Sequence, residues 1–302
     1  MKKILITGSN GLLGQKLVYA LINRTDVELI ATSKDENRLL KKDGYIYEAL
    51  DITDKIQVRN IFSKHQPHTV INTAAMTNVD ACETDKENCW KLNVTAVENI
   101  ISAINYQSSH AHFIHLSTDF IFDGEAGPYK EEDEPKPLSY YGLSKYEGEK
   151  SIQKSGLKWT IIRTIIVYGI VDNMSRSNIV LWAKGALEKG QKINVVDDQF
   201  RSPTLAEDLA DGCILAAMKE ATGIYNISGK NTMSILELVY TVADFYGLDK
   251  SLVTPIKSNT LNQPAKRPHR TGFILDKAIK HLGFNPHSFV EGLKIVDKQI
   301  KE

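Results

Sequence analysis

The sequence predicts an α/β fold in which a doubly wound parallel sheet of Rossmann type carries a smaller C-terminal α/β lobe. Two patterns support this prediction: short apolar runs alternate with helical segments through the first half, and the first run leads into a glycine-rich turn. Such alternation is typical of a parallel sheet covered by helices on both faces. With 302 residues, 42% of them apolar, the chain is long enough to bury a sizeable core.

The first half supplies its elements in a regular order. Strands are predicted in KKILIT, VELIAT, HTVINTA, HFIHLS and WTIIRTIIVYG, and another short strand precedes Asp51. Helices are predicted over 11–23, 54–64, most of 83–106, and 141–155. Residues 1–170 are therefore expected to form the Rossmann domain.

After about residue 170 the alternation of strand and helix patterns changes. Helical patterns over 178–189, 205–219, 234–246 and 287–300 are separated by the short strands KINVV and GIYNIS. Because no glycine-rich linker intervenes, residues 171–302 are expected to pack on the first part as a substrate-binding lobe. Some of its strands and helices are expected to cross back to the first domain.

Charge and cysteine content exclude several classes of protein. Lys plus Arg and Asp plus Glu both number 37, so the net charge is zero, which argues against a nucleic-acid surface dominated by phosphate contacts. Cys82, Cys89 and Cys213 form no CxxC pair, so we expect reduced packing residues and not a zinc site or a disulfide framework. No apolar run is long enough for a signal peptide or a membrane span, so a soluble cytoplasmic protein without membrane partners is expected.

The glycine-rich turn ILITGSNGLLGQKL places Gly8, Gly11 and Gly14 between a strand and a helix. Glycines there permit a tight turn and let a pyrophosphate approach the free N–H groups of the helix N-terminus. Close packing of helix on strand is the alternative explanation of the same spacing. The turn residues predicted to bind a dinucleotide are Gly8, Ser9, Asn10, Gly11, Leu12 and Gly14.

The end of the second strand bears on which dinucleotide is bound. It reads IATSKDEN, so Ser33 and Lys34 precede any acid, and a hydroxyl and a cation suit a 2′-phosphate better than a carboxylate does. NADPH is therefore the expected cofactor, with NADH possible and a solvated turn as the alternative. Asp51 is expected either to accept a hydrogen bond from adenine or to cap the helix over 54–64. Further predicted cofactor contacts are Ile52, Ala74, Ala75, Thr77 and Asn93.

A group of proton-handling side chains lies around the loop between HFIHLS and the next helix. Three Tyr-x-x-x-Lys pairs occur: Tyr141/Lys145, Tyr146/Lys150 and Tyr246/Lys250. Only the first begins a helix directly after the loop that leaves Ser117 and Thr118 at a strand end, where α/β sheets bind ligands. A surface tyrosine beside a solvated lysine is the alternative.

These four residues suggest a reduction. A free tyrosine has a pKa near 10, and a neighbouring ammonium is expected to lower it, so that Tyr141 donates a proton as general acid. Thr118, with Ser117 beside it, is expected to donate a hydrogen bond to a substrate oxygen that gains negative charge. Lys145 is also expected to hold the nicotinamide ribose.

The chain resembles the extended short-chain dehydrogenase/reductase family and, within it, the dTDP-4-dehydrorhamnose reductases. The resemblance covers residue 4 to about residue 284. The matching blocks are GSNGLLG, DITD, VINTAAMTNVDACE, LSTDFIFDG, PYKEEDEPKPLSYYGLSKYEGE, RTIIVYG, VVDDQFRSPTLAEDLA and RPHRTGFILDKAIKHLGF.

The resemblance implies an NADPH-dependent reduction of a 4-keto group on a nucleotide-activated deoxysugar, with Thr118, Tyr141 and Lys145 in the catalytic places. Phe120 stands where related dehydratases carry a Glu, which favours reduction over elimination. Phe120 and Ile166 also stand where rhamnose-forming reductases have Tyr and Trp, which leaves the sugar and the nucleotide open. The residues implied to contact substrate are Phe120, Ile166, Asn178, Gln199, Arg201 and Pro203, with Ser202 and Thr204 in the same loop.

Arg201 is the expected phosphate partner because its guanidinium fork suits phosphate oxygens, with a surface salt bridge as the alternative and Arg267 as a second candidate. Lys16 stands where metal-using relatives carry an acid, so no metal and no magnesium-bridged dimer is expected, although a homodimer of another kind is compatible with the sequence.

Two rival functions fit the same resemblance. One is a non-catalytic NADP-binding subunit similar to the regulatory β subunit of methionine adenosyltransferase. The other is a nucleotide-sugar epimerase, which regenerates a tightly held NAD. The joint presence of Thr118, Tyr141 and Lys145 favours an active reductase.

Overall fold

A seven-stranded sheet, parallel throughout, lies at the centre of the computed structural model, which describes residues 1–107, 110–174 and 176–301. The strands are β1 (Lys2–Thr7), β2 (Val27–Ser33), β3 (Ile46–Ala49), β4 (Thr69–Asn72), β5 (His112–Thr118), β6 (Trp159–Thr164), β7 (Val167–Tyr168), β8 (Ile193–Val196), β9 (Phe200–Arg201), β10 (Thr204–Leu205), β11 (Gly223–Asn226), β12 (Met233–Ser234) and β13 (Val253–Ile256). Across the sheet the order is β11, β6, β5, β4, β1, β2 and β3, which confirms the predicted Rossmann-type α/β fold.

The helices fill the connections between strands. They are α1 (Leu12–Leu21), α2 (Lys55–His65), α3 (Val79–Thr84), α4 (Lys86–Trp90), α5 (Ala96–Tyr106), α6 (Tyr140–Gln153), α7 (Ile179–Glu188), α8 (Ala206–Met218), α9 (Ile235–Tyr246) and α10 (Phe289–Lys301). Many of the helices begin at a residue whose polar side chain accepts from N–H groups that lack a partner in the first turn. Ser139 caps α6, and Ser234 forms a reciprocal capping box with Glu237 at α9. Within the described ranges, no helix is both long and apolar enough to cross a bilayer.

The alternation of side chains along each strand divides the core into two layers. Ile4 and Ile6 of β1 face the layer that contains α1 and α8, whereas Leu5 faces the layer that contains α2, α5 and α6. Successive strand residues point to opposite faces of a sheet, so this sheet is covered on both sides.

A third core lies in the second half of the chain, among α7, α9, α10, β8 and β13. However, β11 pairs with β6 and α8 packs on α1, so elements of the second half also complete the central sheet and its cover. The division into residues 1–170 and 171–302 stays a prediction, which allowed for such crossing back.

Two predicted elements are interrupted. The single strand expected over 159–169 is broken between β6 and β7, where Ile166 has φ +28°, a conformation that β-branched residues rarely adopt. The helix expected over most of 83–106 begins earlier, at Val79, and runs through α3, α4, a π-helical segment (Lys91–Thr95) and α5. The apolar periodicity predicted helix and strand correctly there but not the breaks.

A buried ion pair fastens α6 to the sheet. Arg163 of β6 is 2% exposed and donates to both carboxylate oxygens of Glu149 on α6, at 3.1 and 2.8 Å. Its remaining nitrogen donates to the backbone oxygen of Glu131 at 3.0 Å. A bidentate pair of this kind fixes both distance and orientation, so it sets where α6 lies over the sheet.

We predict that Glu149→Gln lowers the free energy of unfolding by about 3–5 kcal/mol, because the Arg163 guanidinium loses its compensating charge where water cannot reach it. Urea unfolding followed by circular dichroism measures this. The matched control is Glu188→Gln, which breaks an exposed Lys184–Glu188 pair on α7 and is expected to cost about 0.5 kcal/mol or less. Equal effects of the two substitutions would contradict the role of the buried pair.

Candidate active site

A cavity of about 870 Å³ opens at the carboxyl ends of β1, β4 and β5, where an open α/β sheet is expected to bind ligands. It extends from the glycine turn to the start of α7 and to the segment 261–267. The predicted residues that line it are Gly8, Asn10, Gly11, Leu12, Gly14, Ser33, Lys34, Asp51, Ile52, Ala74, Ala75, Thr77, Ser117, Thr118, Phe120, Tyr141, Lys145, Ile166, Asn178, Gln199 and Arg201.

The glycine turn is shaped by close backbone contacts. Gly8 has φ +70°, and a Cβ atom on Gly14 would lie 2.2 Å from the backbone oxygen of Gly8. Only glycine fits at these two positions without moving the turn. The first turn of α1 thereby reaches the cavity, where Gly11, Leu12 and Gly14 line the wall, which suits a diphosphate at the helix N-terminus.

Three predicted contacts lie outside the cavity lining. Ser9 is buried beneath the turn, and Pro203 is buried with its backbone oxygen packed against Gly229. Asn93 is also buried: it accepts from the backbone N–H of Met76 at 2.9 Å and donates to the Met76 oxygen at 3.0 Å. Asn93 therefore braces the segment that carries Ala74, Ala75 and Thr77 and does not itself face the cavity, because its amide is turned to Met76 and to Ser144 of α6.

The adenosine end of the cavity combines a cation and a carboxylate. Lys34 and Asp51 form an ion pair at 3.0 Å, and Asp51 also accepts from the backbone N–H and the hydroxyl of Thr53. The capping alternative for Asp51 is wrong, since Asp54 caps α2 by accepting from the first N–H groups of that helix. Asp51 thus remains at the cavity edge, with Ser33 and Lys34 beside it.

Thr118 and Tyr141 meet at the end of β5. The Thr118 hydroxyl is close enough to Tyr141 to affect its pKa, and it donates to Asp119 Oδ1 at 3.1 Å and accepts from the N–H of Phe120 at 3.2 Å. The rings of Tyr141 and Phe120 pack edge to face with centroids 5.7 Å apart. The close approach depends on Gly142, where a Cβ atom would lie 2.1 Å from the backbone oxygen of Phe120. Gly142 was not singled out from the sequence, although its place directly after Tyr141 was a usable signal.

The expected lowering of the tyrosine pKa is wrong for this arrangement. Burial raises the pKa of Tyr141 well above 10, and the hydrogen bond with Thr118 opposes that effect only in part. Burial also lowers the pKa of Lys145 to about 8. The reason is geometric: Lys145 Nζ lies 3.1 Å from Nε2 of His115, so its hydrogen-bond partner is the imidazole and not the Tyr141 hydroxyl.

Ser117 shows that the site has unused hydrogen-bonding capacity. Its hydroxyl is buried at the cavity wall, and the described residues supply no hydrogen-bond partner for it. Buried hydroxyls are usually paired, so this group suits a ligand with polar atoms. The glycine cradle, the orphan hydroxyl and Lys145 together fit a nicotinamide dinucleotide.

Arg201 does not have the freedom predicted for a phosphate partner. It is 2% exposed and donates to the backbone oxygens of Phe200, Pro268 and His269, while its Nε lies 3.7 Å from buried Asp119. The surface-salt-bridge alternative is wrong as well, because the pair is internal. The carbonyl groups of Pro268 and His269 that hold the Arg201 guanidinium are distant in the chain. A local sequence motif therefore could not reveal that Arg201 is buried.

The remaining predicted substrate residues occupy the far half of the cavity. Asn178 caps α7, accepting from the N–H of Leu181 and donating to the oxygen of Gly169 at 2.7 Å. Arg267 lines the cavity but is held by a bidentate ion pair with Asp80. Exposed Arg176 also lines the cavity and was missed, because nothing in its local sequence marks it.

Lys16, the position that bears on metal binding, forms an ion pair with Glu207 at 2.7 Å. In the described part of the chain, no group of three or more acids, histidines or cysteines is placed to hold a metal ion. Cys82, Cys89 and Cys213 are free and buried, as predicted.

Comparisons with known proteins agree with this architecture. A family model described as RmlD substrate binding domain matches residues 1–301. The chain is 31% identical over 297 residues to the spore coat polysaccharide biosynthesis protein SpsK of Bacillus subtilis (strain 168), covering 97% of this chain and 96% of that protein. It is 31% identical over 307 residues to a dTDP-4-dehydrorhamnose reductase of Aggregatibacter actinomycetemcomitans, covering 97% and 98%. It is 28% identical over 272 residues to methionine adenosyltransferase 2 subunit beta of Danio rerio, covering 88% and 81%.

Solved structures give the same picture. A dTDP-4-dehydrorhamnose reductase from Clostridium acetobutylicum superposes with a TM-score of 0.86 at 30% identity, covering 99% of this chain and 100% of that chain. A dTDP-4-dehydrorhamnose reductase from Bacillus anthracis, solved in complex with NADP, gives 0.85 at 27% identity, also covering 99% and 100%.

The glycine turn yields a prediction for this site. Gly14→Ala is expected to destabilise the protein by about 1–3 kcal/mol, because its methyl group meets the Gly8 carbonyl. Thermal unfolding measures the loss. In the matched control, Gly185→Ala on α7, the added Cβ meets no atom within 4 Å, and the change should stabilise the helix by about 1 kcal/mol. A tolerated alanine at Gly14 would show that the turn is not constrained as described.

Proposed function

The chain belongs to the RmlD substrate binding domain family within the extended short-chain dehydrogenase/reductases, and from this premise we propose that it is an NADPH-dependent reductase. The proposed substrate is a 4-keto deoxysugar carried on a nucleotide. The observation that carries the proposal is the meeting of Thr118 and Tyr141 beside buried Lys145, in the cavity that also contains the glycine turn. A proton donor and a hydrogen-bond donor are thus next to a dinucleotide-shaped cradle.

The residues divide the chemistry among them. When bound, NADPH supplies the hydride that reduces the carbonyl carbon of the sugar. Tyr141 is the general acid: its hydroxyl proton passes to the carbonyl oxygen, giving the alcohol, and solvent restores the proton afterwards. Its high pKa keeps the phenol protonated at neutral pH. Thr118 stabilises the charge developing on the same oxygen when its hydroxyl, which donates to Asp119 Oδ1 in the structure, turns to donate to that oxygen.

Lys145 contributes a positive charge at the nicotinamide end. With a pKa of about 8, lowered first by burial, it is mainly an ammonium at neutral pH. The cation is placed to attract the ribose oxygens of the dinucleotide at that end of the cavity. The buried setting strengthens that effect because water does not screen the charge.

Phe120 helps to decide which reaction is catalysed, and the α7 end of the cavity helps to decide which substrate is bound. Phe120 has no acid or base to offer and packs on the ring of Tyr141, which supports reduction and not elimination. The N-terminus of α7, with Asn178 and Ser177 at the cavity, suits the substrate diphosphate. Exposed Arg176 adds a cation there and replaces Arg201 as the favoured phosphate partner.

A regulatory role is the second candidate. It is favoured by the similarity to methionine adenosyltransferase 2 subunit beta of Danio rerio. The presence of Thr118, Tyr141 and Lys145 in one buried group supports the reductase instead. Binding of NADPH and a synthetase partner, with no oxidation of NADPH by any 4-keto nucleotide sugar, would favour the regulatory role.

We predict that the protein oxidises NADPH with at least one 4-keto nucleotide sugar, and that Tyr141→Phe lowers kcat by about 10²–10⁴-fold, because it removes the general acid. Absorbance of NADPH across a panel of such sugars measures both. The matched control is Tyr146→Phe, in the neighbouring pair in which Lys150 lies over the Tyr146 ring, and it should leave kcat unchanged. Activity undiminished by Tyr141→Phe removes that residue from the mechanism.

Cofactor preference gives a second prediction. The KM for NADPH should be lower than that for NADH. Lys34→Ala should raise the KM for NADPH about 10- to 150-fold without affecting the KM for NADH, since one charge-assisted contact is worth about 1.5–3 kcal/mol. Lys64→Ala is the control, because Lys64 is also an exposed lysine paired with a carboxylate, Glu48, but lies outside the cavity lining. A lower KM for NADH than for NADPH would reject the assignment.

A further inference from the structure

A row of polar side chains crosses the centre of the sheet beneath the cavity. In the strand register, Thr7 of β1 is aligned with Asn72 of β4, and Asn72 is aligned with His115 of β5. Parallel strands in register present aligned side chains on the same face. The three residues therefore lie side by side on the face covered by α6, the helix that carries Lys145.

These four side chains are joined by hydrogen bonds. The Thr7 hydroxyl donates to Asn72 Oδ1 at 2.5 Å, Asn72 Nδ2 lies 3.0 Å from His115 Nδ1, and His115 Nε2 lies 3.1 Å from Lys145 Nζ. All four residues are at most 3% exposed. The row ends at Thr7, directly before Gly8 of the glycine turn, so it connects that turn to the lysine.

The imidazole fills a space on the sheet face next to α6. A Cβ atom on Gly148, three residues after Lys145, would lie in ordinary contact with His115 Nε2 at 3.8 Å, and 2.7 Å from the backbone oxygen of Asn93. An apolar side chain would fill this space without the cost of burying an imidazole. His115 is not among the residues that line the cavity, so contact with substrate does not explain its presence there.

We propose that His115 is a positioning residue: its ring fixes the amino group of Lys145 at the cavity and joins it, through Asn72 and Thr7, to the base of the glycine turn. This inference rests on the proposed function, in which Lys145 acts beside Tyr141. His115 touches neither substrate nor cofactor and acts only through the lysine.

The hydrogen bonds between Asn72, His115 and Lys145 can be arranged in two ways. An imidazole that accepts from Asn72 Nδ2 carries its proton on Nε2 and donates to a neutral Lys145 amine. If Lys145 is an ammonium, it donates to Nε2, the ring proton moves to Nδ1, and the Asn72 amide turns over so that its oxygen accepts from Nδ1. The turned amide then donates to the Thr7 hydroxyl oxygen, and the bond from the Thr7 hydroxyl to Asn72 Oδ1 is lost. The protonation state of Lys145 is therefore coupled to the tautomer of His115.

Other titratable groups also surround Lys145. Glu149 faces it from the same helix, Cys89 from α4 and Cys82 from α3. Glu149 is already paired with Arg163, and both thiols are buried. His115 itself stays neutral, since burial and the nearby lysine hold its pKa well below 6.5. Among the described residues, the His115 imidazole is the hydrogen-bond partner of the lysine nitrogen.

The kinetic test uses NADPH and the keto-sugar that the wild-type protein accepts. His115→Ala should lower kcat about 10–100-fold, the scale expected when a reacting group is slightly misplaced. The substrate KM should stay within about 2-fold, because His115 is outside the cavity, and the alkaline midpoint of the kcat–pH profile should move. His115→Gln, whose amide can meet the lysine, should recover at least a third of the lost activity on a logarithmic scale.

The matched control is His112→Ala. His112 is on the same strand and is 2% exposed, but it lies at the N-terminal end of β5, away from the cavity, and its ring hydrogen-bonds the Thr160 hydroxyl. Its loss should leave kcat and the pH profile unchanged. Wild-type kcat and pH profile in folded His115→Ala overturn the proposal, as does an equal effect of His112→Ala.

A second test does not depend on catalysis. In ¹⁵N-labelled protein, the two ring nitrogens of His115 should exchange their donor and acceptor chemical shifts as pH passes through about 8, the pKa to which burial lowers Lys145. Lys145→Met should abolish the change. Constant shifts in the wild type overturn the positioning role even if the reductase is active, whereas an inactive protein that shows the coupled change retains the row and loses the proposed function.

Discussion

The alignment of β1, β4 and β5 at their carboxyl ends is the constraint on which the site depends. One register brings Thr7, Asn72 and His115 into a single row, with the glycine turn directly after Thr7 and Thr118 three residues after His115. A shift of one residue would turn each of these side chains to the other face of the sheet. The apolar neighbours Leu5, Val70 and Phe113 share that face, so the hydrophobic core itself fixes the register.

Among the side chains that the structure describes near α6, two buried cations are paired with carboxylates and a third is not. Glu149 and Arg163 neutralise each other within the fold, and Asp119 faces Arg201 in the same way on the other side of the cavity. Lys145 faces a neutral imidazole instead. A cation held without a directly bonded carboxylate attracts negative charge more strongly than a paired one. The two structural pairs hold the backbone, and the remaining cation is available to a ligand.

The features that could be read from the sequence are local ones. Apolar alternation predicted the sheet, and the spacing of Gly8, Gly11 and Gly14 predicted the turn, because both depend on residues adjacent in the chain. The direction of Lys145 and the enclosure of Arg201 depend on residues tens of positions away, such as His115 and Pro268. Local patterns name the side chains that are present, but long-range packing decides which of their polar atoms are still free.

The pairing of β11 with β6 affects how the chain folds during its synthesis. Until β11 pairs with β6, the apolar residues Ile161 and Ile162 belong to an open edge strand, and open edges recruit strands from other molecules. During translation the sheet is completed only after residue 226 has left the ribosome. A nascent chain of this length therefore passes through a stage in which self-association competes with folding.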